Sequence, residues 1–296
     1  MTDTKIYFIL IIFSFAFLIS CEDQIDVKLD PAEQLVVVDA WLNDIPSEIP
    51  KIKLSLSQSY FDSLSVDELN NAIVSVRSGS GQTYDFKNLD NSGTYILTNP
   101  VPWFLEDDGT TFDLDISLGG NSYTASATKF PVPPIDSIQQ EFREDAFVDE
   151  GIFCNFFATD LPGLGNTYWI KTFKNDTLLN RPAELNIAYD SAFSAGSEVD
   201  NLVFIQPIQE LNNPVDENFS PIPWQAGETI RVEIHSISNS AFFYLEVLRD
   251  QLLNSSNGIF ATPLANTRGN ISSSDGKTVL GYFNVASVSS LEEVIE

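Results

Sequence analysis

Strict alternation of apolar and polar residues constrains this chain more than any other feature. Residues 111–118 read TFDLDISL: Phe112, Leu114, Ile116 and Leu118 fall on one side of an extended backbone, Asp113 and Asp115 on the other. A period of two belongs to a strand with one face in a core and one in water. Gly119-Gly120-Asn121 follows as a hairpin signal, and residues 122–129 run back. Residues 35–42 (LVVVDAWL), 52–56, 72–76, 83–86 and 94–97 carry the same texture in short pieces divided by turn residues. Short strands at this spacing predict an antiparallel sandwich of immunoglobulin-like type over residues 34–130.

Pro131, Pro133 and Pro134 then remove ladder donors, and residues 131–134 read as a Pro-rich linker. A second β-rich domain is expected over residues 135–288, with strands at 135–142, 151–159, 167–173, 202–208 and 229–237. Phe242, Leu245, Leu248 and Leu252 recur at helical spacing, so residues 241–253 predict one helix, capped by Ser238 or Ser240. Residues 278–285 (TVLGYFNV) are expected to return to the second sheet, and 289–296 to form an acidic tail. The polar stretch 175–200 reads as a long surface loop. The expected fold class is therefore mainly β: an N-terminal immunoglobulin-like β-sandwich followed by a second β-rich domain with one helix near the C-terminus.

The amino terminus has a different texture. Lys5 precedes an apolar run over residues 6–19, and Leu18-Ile19-Ser20 stands directly before Cys21. This layout resembles a bacterial lipoprotein signal peptide with its lipobox, removed at residue 20. The run is shorter than the roughly 20 apolar residues of a spanning helix. The resemblance implies a lipid thioether on Cys21. Residues 21–33 read as an acidic tether, and Glu22-Asp23 directly behind the cysteine resembles the surface-export signal of Bacteroidota lipoproteins. The net charge of −27 repels nucleic-acid backbones and anionic head groups, so attachment falls to the acyl chains, such as palmitate, at roughly 0.8 kcal/mol per buried methylene.

Motifs along the rest of the chain resemble one family as a set. They are the LVVVDAWL strand, Gly93-Thr94-Tyr95, the run through Leu114, Ile116, Gly120, Tyr123 and Thr124, and Pro131 and Pro134 followed by Ile135-Asp136-Ser137. Near the end come Phe243 and Tyr244, Gly269-Asn270-Ile271 and Leu280-Gly281-Tyr282-Phe283. In order and spacing these are similar to the Bacteroidota outer-membrane lipoproteins grouped as domain of unknown function 4249. That resemblance implies an outer-membrane lipoprotein of no agreed activity, often encoded beside TonB-dependent receptors.

Residues suited to catalysis are sparse. The one histidine, His235, sits on an alternating strand with Glu233 two positions back, and reads as a structural residue. One histidine and one cysteine beyond Cys21 exclude a zinc site of nitrogen and sulfur ligands. Cys154, in an apolar strand, reads as a small buried hydrophobe. The acidic turn Glu106-Asp107-Asp108-Gly109 reads as solvated and departs from calcium-loop spacing. No metal or cofactor is expected.

Recognition residues are easier to nominate. Pro100-Val101-Pro102-Trp103 and Pro221-Ile222-Pro223-Trp224 are stiff loops bearing Trp103 and Trp224, candidates for a glycan, peptide or protein partner. Trp41 and Trp169 lie in strands and read as core. Ser63, Ser137, Thr177 and Ser191 stand in short stretches resembling the Bacteroidota O-glycosylation site.

The function expected is a non-enzymatic, lipid-anchored outer-membrane protein facing the cell exterior. It would act as a binding or accessory subunit beside a TonB-dependent receptor. The alternatives are a stand-alone glycan-binding lipoprotein and a hydrolase using two carboxylates. A clickable palmitate analogue should label the protein in cells of its source, and Cys21→Ala should remove that label. An unlabelled wild-type chain would overturn the anchor.

Overall fold

Apolar residues at every second position build the first layer. The computed structural model describes residues 33–58, 66–98, 106–144, 149–196, 199–216, 220–254 and 267–296. Strands β1 (Val36–Asn43), β2 (Lys51–Leu56), β3 (Ile73–Ser78), β4 (Thr83–Lys87), β5 (Thr94–Leu97), β6 (Thr111–Leu118) and β7 (Asn121–Thr128) match the alternating segments. In β1 the side chains of Val38, Ala40 and Leu42 are buried, and those of Asp39, Trp41 and Asn43 lie on the other face. In β6 Phe112, Leu114 and Ile116 point inward in the same way.

The chain continues through β8 (Ile135–Arg143), β9 (Gly151–Ala158), β10 (Thr167–Lys174), β11 (Thr177–Leu178), β12 (Asn186–Tyr189) and β13 (Thr229–Ile237). Helix α1 (Asn239–Asn254), β14 (Ser272–Ser273), β15 (Leu280–Ala286) and β16 (Val288–Val294) follow. Nine strands form the first sheet in the order β14-β7-β6-β3-β4-β5-β2-β1-β15. Although β7 and β15 are far apart in that order, they touch, so the sheet curls about one core that includes Leu54, Tyr84, Tyr95, Phe112 and Phe283. A second sheet runs β11-β10-β13-β16, with β12 also on β10, and β8 pairs with β9 alone. Its core gathers Phe156, Tyr168, Phe204, Trp224 and Ile234.

Ser238 caps α1. Its hydroxyl accepts from the Ala241 amide at 3.2 Å, and its carbonyl from the Phe242 amide at 2.9 Å. Phe242 and Leu245 bury the inner helix face against Ile187, Ile237 and Tyr282. The fold is mainly β, a curled sheet of sandwich type with a single helix near the C-terminal end of the described residues. None of the described helices is long and apolar enough to cross a membrane.

Several expectations are corrected. β15 does not return to the second sheet; it lies parallel to β1, with Val38 beside Gly281 and Ala40 beside Phe283. β14 likewise joins β7. The strands therefore do not divide at prolines 131–134, and residues 34–296 form one compact unit. The expected acidic tail is mostly β16, paired with β13 from Val288 to Val294, and Ile295 beyond it is buried. Residues 202–208 form turns, with one bridge from Val203 to Thr159, instead of a strand. The stretch 175–200 carries β11, β12 and a 3-10 turn over Pro182–Glu184.

Glycine makes the β1–β15 pairing possible. Gly281 has φ +95°, and a Cβ there would stand 1.9 Å from the Val38 carbonyl oxygen. A Cβ on Gly269 would stand 1.8 Å from the Gly281 carbonyl oxygen. Asn270 then completes the edge, its Nδ2 donating to the Phe283 carbonyl at 2.8 Å and its Oδ1 accepting from the Phe283 amide at 2.9 Å. Gly281→Ala combines a left-handed backbone with a clash against main chain, and should cost about 3 kcal/mol or more. Urea unfolding of the variant would check this; an unchanged midpoint would show that β15 can leave β1 freely.

Candidate ligand-binding cleft

The residues of β1 that turn away from its core face a cavity. Asp39, Trp41 and Asn43 alternate with the buried Val38, Ala40 and Leu42, and β2 places Lys53 directly across from Asp39 with Lys51 two residues away. The opposing wall comes from the second sheet. There Trp169, Lys171 and Phe173 of β10 stand across from His235, Glu233 and Arg231 of β13. These walls bound a cleft of about 560 Å³ whose lining includes Lys51, Lys53, Lys171, Trp41 and Trp169. A second cavity of about 280 Å³ shares Asp39, Trp41, Trp169 and Lys171. It extends past Leu178 and Leu185 to Leu245, Leu248 and Leu252 of α1. Both volumes are of the order of small-molecule sites, which run from about 300 to 1,000 Å³.

Aromatic rings hold the two walls in position. Trp41 meets Trp169 edge to face at 5.2 Å between centroids and stacks on Tyr282 of β15 at 5.3 Å. Tyr244 of α1 lies 4.9 Å from Tyr282, and the Tyr282 hydroxyl donates to Ser240 Oγ at 2.7 Å. Such pairs contribute roughly 0.5–1.5 kcal/mol each beyond their buried area. Trp41 and Trp169 are half-buried, so part of each ring still faces the cavity.

Charge in the cleft is uneven. Lys171 is half-buried, with Nζ 4.1 Å from the centre of the Trp169 ring. Among the described residues it has no carboxylate at ion-pair distance. Burial brings its ammonium down to about 8, against the pull of Glu48 and Asp39 and with a push from Lys51. Asp39 keeps an exposed side chain, and partial desolvation beside the cleft raises its carboxyl against the pull of Lys53, Lys171 and Lys51. Behind them sits a closed network. Arg231 pairs with Glu233 and lies over the Phe173 ring at 3.8 Å, and Glu233 accepts from His235 Nε2 at 2.8 Å. His235 is 4% exposed, and burial, then Lys171 and Arg231, hold its pKa well below the usual histidine range. Its described side-chain hydrogen bond goes to a carboxylate and not to a hydroxyl or thiol, which fits a structural role.

The nominated recognition residues fare differently. Trp224 is 1% exposed and belongs to the second core, with its amide on the Ile152 carbonyl at 3.0 Å. It cannot present a ring to a partner. Ser191 is fully buried and its hydroxyl donates to the Leu202 carbonyl at 2.8 Å, which removes it as a glycan acceptor in the folded chain. Thr177 is exposed beside a turn with φ +46° at Asn175 and +62° at Asp176, and Ser137 is half-buried on β8. Cys21, Ser63 and Trp103 lie outside the described residues.

Other features serve structure. Glu106 of the acidic turn accepts from Tyr84 at 2.7 Å and Ser80 at 3.0 Å. Lys129 Nζ donates to the Glu106 carbonyl at 2.7 Å and pairs with Asp44 at 2.9 Å. The turn is thus tied to a buried cation rather than simply solvated. Cys154 is fully buried, and burial pushes its thiol up to about 12, with Glu293 adding to the rise and Arg143 opposing it. No group of three metal-ligating side chains occurs among the described residues.

Sequence reasoning took Trp41 and Trp169 for core and missed the cleft. A signal was present: Asp39 and Trp41 share one face of β1, and Trp169 and Lys171 one face of β10. A face carrying both a tryptophan and a charge is a poor core.

Burial of a neutral histidine has a measurable consequence. The unfolded chain takes up a proton near pH 6.5, whereas folded His235 does so only at lower pH. The folded state therefore loses stability as pH falls below about 6.5. Stability should therefore fall between pH 7.5 and 5.5, and His235→Gln should abolish that portion of the fall. Urea titrations of both proteins at the two pH values check this; an identical pH slope in the variant would show that His235 titrates normally when folded.

Comparison with curated proteins gives no match. The sequence profile of the family described as Domain of unknown function (DUF4249) matches residues 22–292, nearly the whole chain and every strand of the cleft, and the chain belongs to that family.

Proposed function

We propose that this protein is a lipid-anchored outer-membrane binding protein, displayed toward the cell exterior, that serves as an accessory subunit of a TonB-dependent transporter. The cleft between β1–β2 and β10–β13 is the observation that carries the binding role. It brings aromatic faces and lysines together with an apolar trough in a chain where acidic residues outnumber basic ones by 42 to 15. Convergent polar groups at one end of an apolar cavity suit selective binding. Lipidation at Cys21 accounts for the leader, and the family match beginning at residue 22, directly behind that cysteine, supports it. The acidic surface leaves attachment to the lipid and leaves the fold free to meet a partner.

The glycan-binding alternative moves with the geometry. Trp224 is buried, so recognition in this reading falls to Trp41 and Trp169. Affinity isolation of the tagged protein from its native membrane in mild detergent, followed by mass spectrometry, tests the accessory role. A β-barrel receptor of transporter size should be recovered in near-stoichiometric amount. Recovery of a lone monomer would remove the transporter from the reading.

A further inference from the structure

The two cavities differ in chemistry and share a wall, and that combination limits what can fill them. We infer that the cleft takes a small organic anion with an apolar body, its charged group on Lys171 and its body in the trough against Trp41, Trp169 and the α1 leucines. This rests on the binding reading above and names the ligand class for it.

Consider the charges first. Asp39 lies across from Lys53 in the β1–β2 register. Glu48 accepts from Asn43 Nδ2 at 2.7 Å. Glu233 is occupied by Arg231 and His235. Lys171 has no carboxylate at ion-pair distance among the described residues, Glu48 and Asp39 acting on it only from farther off, and its Nζ is held against the Trp169 ring, partly out of water. A desolvated ammonium beside apolar surface gains most from an anion that brings its own apolar cover. Lys51 and Lys53 are exposed on the same face and add attraction at the mouth. An uncharged ligand would leave Lys171 desolvated and unpaired. A cationic ligand would meet three lysines.

The trough sets the other half. Leu245, Leu248 and Leu252 recur along one side of α1 and face Leu178 and Leu185, so the cavity beyond Lys171 is lined chiefly by carbon. Its volume of about 280 Å³ holds a body of bicyclic size and not a polymer chain. Trp41 and Trp169 stand at the junction of the two cavities, where a planar or aliphatic body would pass from the charged end to the leucines.

Isothermal titration of the purified full chain in maltoside detergent tests this with 2-naphthoate, its neutral amide 2-naphthamide, and the cationic 2-naphthylmethylammonium. The carboxylate should bind about tenfold tighter than the amide, the scale of one charge-assisted contact, and the cation weakest. Lys171→Met keeps the aliphatic stem and should bring naphthoate down to the level of the amide without changing the amide. Leu248→Asp should weaken both. Should Lys171→Met fail to fold, the exposed pair Lys51→Gln and Lys53→Gln should still weaken naphthoate about threefold and leave the amide unchanged. Equal binding of the three probes, no binding of any, or discrimination that survives both lysine changes would overturn the assignment. A lone monomer on affinity isolation would sink the transporter role while leaving these affinities as they are.

Discussion

The structure depends on a parallel strand pair made at the edge of the first sheet, between β1 and β15. Parallel neighbours cannot be joined by a tight turn, so the intervening chain must fold elsewhere before β15 returns. It does so through the rest of the first sheet, through β8–β13 and through α1, and β16 is added to the second sheet only afterwards. At the return, Gly281 lets β15 approach the Val38 carbonyl, and Gly269 lets a third backbone segment approach Gly281. Ser287 alone separates β15 from β16, yet those strands belong to different sheets. Its amide donates to Ser236 Oγ at 3.0 Å, its carbonyl accepts from the Ser236 amide at 3.0 Å, and its hydroxyl donates to Asp108. The Val288 amide donates to Asp44 at 2.8 Å, and Asp44 pairs with buried Lys129. The angle between the sheets is thus set by a short, fully engaged polar junction, and the cleft inherits its shape from that angle.

A cleft made in this way is expensive to keep polar. Glu233 and His235 are buried where sheet packing would ordinarily place aliphatic side chains, and desolvation acts against a charge on Asp39, Lys171 and His235. Part of the cost is met internally: Arg231 and His235 satisfy Glu233, and Phe173 covers the guanidinium. Buried pairs of this kind do little for net stability, since their attraction roughly repeats what water provided. Their effect is positional. They fix the side chains along β13, and the Arg231–Phe173 contact crosses to β10, whose ladder leaves Trp169 and Lys171 facing the open cavity.

Local pattern made the elements legible where the period was clean. TFDLDISL could be little other than β6, and the spacing of Phe242, Leu245 and Leu248 could be little other than α1. What failed was pairing over long separations. Nothing in TVLGYFNV states that its partner is β1, because register across more than two hundred residues is chosen by the completed core and not by neighbours in sequence. Composition misled at the C-terminus, where Glu292 and Glu293 read as solvated although Leu291 and Ile295 pack inward. It misled again at Trp224, where a proline-stiffened loop proved to be folded back beneath the second sheet. The site was hidden for a related reason. Its residues come from strands of both sheets, and each strand contributes only a few.

The motifs that carry the family resemblance now have a physical meaning. LVVVDAWL is β1, LGYF opens β15, and Gly269-Asn270 supports β15 from the side. On one face these strands supply Val38, Ala40, Leu42 and Phe283 to the first core; on the other β1 supplies Asp39 and Trp41 to the cleft, and Tyr282 of β15 stacks behind Trp41. The same pairing that closes the fold therefore builds the cavity wall. A signature of that kind describes how the fold closes, and a fold of itself assigns no reaction. Lys171 and Leu248 lie outside these motifs, on β10 and α1, so the face of the cleft opposite β1 is built by other parts of the chain than those that close the β1–β15 edge.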